Sequence, residues 1–256
     1  MKVCSLLPSA TEILFALGRG DDLVGVTHEC SFPSEALGKP RVIKSRIDSD
    51  HMSSSEIDAA VRDAMANHER LYELDEKTLL AGEPELIVTQ DLCKVCAVDV
   101  NQVQDVIRVL PKRPRVVSLH PHTLSDMLQD IRSIGEIIGA GQQAGVLVDR
   151  LKIRMERIRE RLKGVQRPKV FCMEWFKPQM SSGHWVPEQV DLAGGHEVLG
   201  KTGKPSRTIT SDEIVKAAPE VMILMPCGFS IERSRTEVHL LTDQPAWSRL
   251  PAVRSG

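Results

Sequence analysis

The chain has 256 residues, 41% of them hydrophobic and 27% charged, with 33 basic and 35 acidic side chains and a net charge of −2. That is enough chain for a large buried core, in one domain or two. With no basic excess and only 4% aromatic residues, nucleic acid and anionic membrane surfaces are not expected partners.

In chain order, Met1 to Ser9 is too short an apolar run for a signal peptide before Pro8 and Glu12 interrupt it. No apolar segment approaches the ~20 residues that span a bilayer, so membrane insertion is not expected. As given, the chain reads as cytoplasmic; removal of a leader would make it periplasmic or cell-surface. Six cysteines in a chain of this length do not form a disulfide scaffold and suggest free thiols or a metal.

Lys2 to Leu7 reads as a short strand. Ser9 and Glu12 then have the spacing of a capping box, opening a helix through Ile13, Leu14 and Leu17 that Gly18 ends. Leu23 to Thr27 is a second strand delivering His28-Glu29-Cys30 at its carboxyl end, where open α/β sheets bind ligands. Arg41 to Ile43 forms another strand, followed by Lys44-Ser45-Arg46, and Ser53 and Glu56 start a modest helix. Leu86 to Thr89 is a buried strand running into Gln90-Asp91-Leu92-Cys93-Lys94-Val95-Cys96. Arg115 to Leu119 is the next strand, and Thr123 to Asp126 cap the helix that carries Ile131, Ile134 and Ile138.

Gln142 to Lys163 holds one apolar stripe, Ala144, Leu147, Val148, Leu151, Met155, Ile158 and Leu162, under a strongly charged remainder. At 1.5 Å per residue this helix is roughly 33 Å long. Strand-and-helix sequence lies on both sides of it, which predicts an N-terminal α/β lobe over 1–141, a connecting helix over 142–164 and a C-terminal α/β lobe over 165–256. In the second half, Lys169 to Met173 is a strand ending at Glu174-Trp175, and a loop to His184-Trp185 precedes a helix begun by Pro187. Glu213 to Ala218 is a helix, and Val221 to Met225 is expected to be a buried strand ending at Pro226-Cys227-Gly228-Phe229.

Leu6-Pro8-Ser9-Ala10-Thr11-Glu12, Val24-Gly25-Val26-Thr27, Pro84-Glu85-Leu86-Ile87, Ala193-Gly194-Gly195 and Pro219-Glu220-Val221, spaced around a long helix, resemble the class III substrate-binding proteins of vitamin B12 and iron–siderophore importers. Thr27-His28-Glu29-Cys30, Gln90 to Cys96, Glu174-Trp175, Gly183 to Glu188 and Pro226 to Phe229 look like a leaderless branch usually labelled cobalamin-binding. The resemblance implies two Rossmann-like α/β lobes joined by the helix, with a cobalamin, corrinoid or related metal-bearing ligand in a cleft between them. It also implies an ABC transporter permease as partner. Three features depart from the pattern. The positions matched to the corrin-packing aromatics are Glu29, Ser45, Glu174 and Ser206. The two transporter-docking carboxylates fall on Lys77 and Asp212, so only one is acidic. The family continues past Arg254 with another strand and helix, which implies a shortened second lobe.

The residues themselves suggest two chemistries. Cys93-Lys94-Val95-Cys96 is a CxxC at a strand end, suited to half a metal site or a redox pair, or else to plain packing. In a binder, His28 or a cysteine thiolate approaches the ligand's metal, Trp175 and Trp185 stack on its flat face, and Arg46 and Gln90 hydrogen-bond its periphery. In a metal- or thiol-dependent enzyme, Cys93, Cys96 and Cys227 work with His28, Glu29, His184 or Glu188, and zinc or iron is held by Cys93, Cys96, Cys227 and His28. Cys30 joins either set. The plainer alternatives are a capped strand end for His28-Glu29-Cys30, a helix first turn for Glu188 and core packing for the indoles.

Overall fold

A computed structural model describes residues 1–90, 107 and 112–254. The chain divides into two compact units, one of Met1–Ser49, Ala60–His120 and Leu128–Asp149, the other of Asp50–Ala59, Pro121–Met127 and Arg150–Gly256. Cys93 and Cys96 lie outside the described residues.

The first unit opens with β1 (Val3–Ser5) and α1 (Pro8–Ala16), then β2 (Leu23–Gly25) and β3 (Ile43–Ser45). After α2 (Ser54–Ala66), which belongs to this unit from Ala60 onward, come β4 (Tyr72–Leu74), α3 (Glu76–Gly82), β5 (Leu86–Gln90) and β6 (Arg115–Leu119). Then follow α4 (Leu124–Ile137), of which Leu128 onward belongs here, and α5 (Gly141–Arg161), which belongs here as far as Asp149. The main sheet runs β2-β1-β5-β6, parallel throughout, with Val3 opposite both Leu23 and Leu86. Val3, Cys4, Ile87 and Val88 on its central strands are fully buried, as expected where both faces of a parallel sheet are covered. β3 and β4 form a separate antiparallel pair that sets Ser45 opposite Tyr72.

Helix starts follow local chemistry, with one correction. Ser9 and Glu12 do not cap α1. The helix begins one residue earlier, with Pro8 at its first position and Leu7 as an N-cap that offers no side-chain bond. Proline's fixed φ suits that position and its missing N–H costs nothing there. Ser53 with Glu56 and Thr123 with Asp126 close the expected reciprocal caps of α2 and α4. In α5 the apolar stripe is the buried face, deepest at Ala144 and Val148. α4 approaches α5 closely at Gly135, where a Cβ would stand 2.3 Å from that of Ala144.

The second unit is built on β7 (Lys169–Trp175), β8 (Met180–Ser181), α6 (Val186–Leu192) and β9 (His196–Glu197). It continues with α7 (Ser211–Ala217), β10 (Val221–Leu224), α8 (Ile231–Glu237), α9 (His239–Thr242) and α10 (Pro251–Arg254). β7 is central. It pairs in parallel with β9 and β10 and antiparallel with β8, so this sheet is mixed rather than purely Rossmann-like. Phe171, Met173, Phe176, Ile214, Leu241, Trp247 and Leu250 form its core. Val221 to Met225 is not the buried strand its composition suggests. Among the described residues β10 stands at the edge of this sheet, and Val221 and Ile223 are 41% and 44% exposed while Met222 and Leu224 pack inward. A continuous apolar run carries no signal of which face will be covered.

Candidate ligand-binding site

In the first unit, β1 stands between β2 and β5, the topological switch at which α/β sheets expose a crevice beyond their strand ends. Beneath that end lies a buried polar chain. The Thr11 hydroxyl donates to Ser5 Oγ at 2.8 Å, Ser5 donates to the Leu7 carbonyl, and Thr11 Oγ1 stands 3.1 Å from Cys30 Sγ. All three side chains are fully buried. Cys30 is therefore a core thiol rather than a ligand-facing one, since burial pushes its titration upward and disfavours the thiolate. Burial does the same to Cys4.

Just before Cys30 in the chain stand His28 and Glu29, with His28 Nε2 3.2 Å from Glu29 Oε1. The hydrogen bond from His28 holds the Glu29 carboxyl below its ordinary range. Arg41 ties down the loop by donating to the carbonyls of Thr27 and Cys30 at 2.5 and 2.8 Å. The His28 ring lies 5.8 Å from Tyr72, the only tyrosine in the chain. Tyr72 reaches that place through the β3–β4 pairing, which sequence reading did not see because the two strands are far apart in the chain. The same pair brings Ser45 opposite Tyr72 and leaves Arg46 exposed, its amide bonded to the Leu71 carbonyl. Gln90 ends β5, half-buried.

In the second unit the site residues gather at the carboxyl end of β7. Glu174 Oε1 accepts from the Gly183 amide at 3.3 Å and Oε2 accepts from the Ser206 hydroxyl. Burial raises the Glu174 titration despite those two bonds. Gly183 has no room for a side chain, because a Cβ would stand 2.5 Å from both the Lys204 carbonyl and the Ser206 amide. Below this rim, Glu197 accepts from the amides of Cys172, Leu199 and Gly200. Burial and then Glu197 push the Cys172 thiol up to about 12, as suits an inert core residue.

Trp175 is anchored rather than free to stack. Its Nε1 donates to the carbonyls of Ser54 and Lys177, both at 3.1 Å, and its ring meets Phe229 edge-on at 5.2 Å. The Arg233 guanidinium lies over the Phe229 ring at 3.8 Å and donates to the Met52 carbonyl. The Glu237 carboxylate accepts from the Ser54 amide with both oxygens. His184 Nε and Nδ belong to a half-buried ring 5.7 Å from His122 and 5.9 Å from Trp185. Burial, and then His122, lower the His184 titration. Trp185 packs against the cluster of Val170, Cys172, Val186 and Val190.

Glu188 differs from expectation. It lies in the first turn of α6, but its carboxylate also accepts from the Leu124 amide at 2.6 Å, at the start of α4. That is a structural bond that neutralises a helix terminus. Cys227 is exposed, its amide bonded to the Glu174 carbonyl at 3.2 Å. Among the described residues no three of His, Cys, Asp and Glu converge as metal ligands, so the set of His28 and Cys227 with Cys93 and Cys96 stands only as an expectation.

The chain matches the periplasmic binding protein family over residues 3–256. It is 29% identical over 167 residues to an uncharacterized ABC transporter substrate-binding lipoprotein, YvrC, of Bacillus subtilis, which spans 65% of this chain and 43% of that protein. It is 21% identical over 223 residues to a vitamin B12-binding protein of Vibrio cholerae, 86% of this chain and 69% of the relative. Among solved structures, the heme-binding protein HutB of Vibrio cholerae superposes with a TM-score of 0.74 at 18% identity, covering 100% of this chain and 87% of that one. The vitamin B12-binding protein BtuF of the same organism superposes at 0.60 and 18%, covering 99% and 91%. These structural likenesses concern the fold. With the family match running from the first strand to the last residue, the chain belongs to the periplasmic binding protein family.

Proposed function

We propose that this chain is the substrate-binding component of an ABC importer and that its cargo is a corrinoid, with heme or an iron–siderophore as the nearest competing ligands. The observation that carries the reading is the alignment to vitamin B12-binding proteins over 86% of the chain. The chemistry at the strand ends supports it. His28, Glu29, Tyr72, Ser45 and Arg46 in the first unit, and Glu174, His184 and Trp185 in the second, are partly exposed groups able to hydrogen-bond or pack against a large amphipathic ligand. Where corrin-packing aromatics are expected, Glu29 and Glu174 stand instead, so recognition relies more on hydrogen bonds to peripheral amides than on stacking.

The reading implies a permease partner, met through an exposed carboxylate such as Asp212, and a place outside the cytoplasmic membrane. Among the described residues no helix is long and apolar enough to cross a membrane. The test is a spectral titration of the purified chain with hydroxocobalamin and, in parallel, with hemin. A saturable, stoichiometric change with hydroxocobalamin is expected. Saturation with hemin alone moves the cargo to heme, and no change with either overturns the reading.

A further inference from the structure

His122 and His184 come from different segments, the turn before α4 and the turn between β8 and α6, yet their rings lie 5.7 Å apart and tilted by 36°. His184 is held there by its backbone. Its φ is +52°, its amide donates to the Lys204 carbonyl at 2.6 Å, and its carbonyl accepts from Gly203 at 2.9 Å. A left-handed non-glycine residue costs free energy and persists where the surrounding structure over-determines it. Neighbouring Gly183 is locked against residues 204–206. The His122 backbone is fixed in turn, its amide donating to Asp126 at 2.9 Å. Among the described residues, no hydrogen bond or ion pair engages a ring nitrogen of either histidine. The ring of His122 is exposed, which gives an ion a route in.

We propose that His122 and His184 form a two-imidazole site for a borderline divalent transition-metal ion of the nickel, copper or zinc kind. An imidazole nitrogen binds such an ion at about 2.0–2.1 Å, which sets the ring centre roughly 3.2 Å from it, so two rings on one ion stand about 5–6.4 Å apart between tetrahedral and linear angles. The observed separation falls inside that range. Imidazole is a preferred donor for these metals. With two protein donors the remaining positions stay with water, which makes the site open and exchangeable rather than a closed structural centre. The inference does not depend on what the cargo is.

The test uses the full, untagged chain and Ni²⁺ by isothermal titration. One equivalent is expected to bind, with affinity falling at least tenfold in His122→Ala and in His184→Ala but not in His239→Ala. Because His184→Ala also alters a strained turn, a second measurement uses the unsubstituted chain: substoichiometric Ni²⁺ should broaden the imidazole proton resonances of His122 and His184 before those of other histidines. Absence of binding, undiminished binding in both variants, or broadening that begins at another histidine overturns the proposal.

Discussion

The carboxyl end of β1 in the first unit and that of β7 in the second occupy equivalent places in their own sheets. Each is a central strand with later strands paired on both sides. The chemistry below them differs. The first unit closes its strand end with neutral hydroxyls and a thiol, Ser5, Thr11 and Cys30, all removed from water. The second puts a carboxylate there, Glu174, held by an amide and a hydroxyl and still half-exposed. A neutral hydroxyl chain is cheap to bury once each donor has an acceptor, whereas a buried carboxylate remains costly even when bonded. The first end is therefore part of the core, with its polar rim, His28 and Glu29, just before Cys30 in the chain. In the second, the rim and the core merge.

Substitutions at the two ends sharpen that contrast. The largest effect is expected for Gly183→Ala, whose added methyl meets backbone on two sides and has no flexible side chain to displace. A loss of about 3 kcal/mol is expected, read as a drop in urea midpoint. A variant as stable as the parent would mean that the 183–206 turn is not fixed as described. Next comes Thr11→Val in the first unit, nearly isosteric but leaving Ser5 and Cys30 without their shared partner. About 2 kcal/mol of destabilisation is expected, and a near-neutral result by the same measurement would show that the hydroxyl chain is not what closes β1.

The third prediction concerns pH. Because Glu174 titrates above its ordinary 4.5 in the folded chain, the unfolded chain ionises first. Its contribution is fully present below that ordinary value and is lost as pH rises through the folded one. Glu174→Gln should flatten this part of the stability profile, and parallel profiles for the two proteins would remove Glu174 from the account. The smallest effect is expected for Glu29→Gln. Its carboxyl titrates below its ordinary 4.5 because of His28, so its contribution is present above that value and lost as pH falls through the folded one. With a side chain 52% exposed, the pair is worth less than about 0.5 kcal/mol. A loss above 1 kcal/mol on thermal unfolding would mark Glu29 as a closing element rather than a rim residue.

Much of the fold was readable residue by residue where the signal is short-range. The caps Ser53–Glu56 and Thr123–Asp126 use partners three positions apart, and the stripe of α5 repeats every three or four residues. Ser9–Glu12 has the same spacing and no cap, because Pro8 starts the helix before Ser9 can. The candidate site was readable only in outline. Strand ends were expected to carry His28, Glu174 and Cys227 and they do, but the company each keeps was not visible. Cys30 looks like its neighbours in sequence and is separated from them by burial alone.

By itself the sequence determined where α2 and α4 begin and which face of α5 is buried, since caps and apolar periodicity act within one or two turns. It also carried the motifs that resemble the periplasmic binding proteins. Only the tertiary structure decided that β10 lies at an edge, that Tyr72 meets His28, that His122 meets His184, and that Glu188 serves the Leu124 amide 64 residues away. Such contacts depend on which strands become neighbours. That choice is made by burial summed over a whole unit, and no single residue or short window contains it.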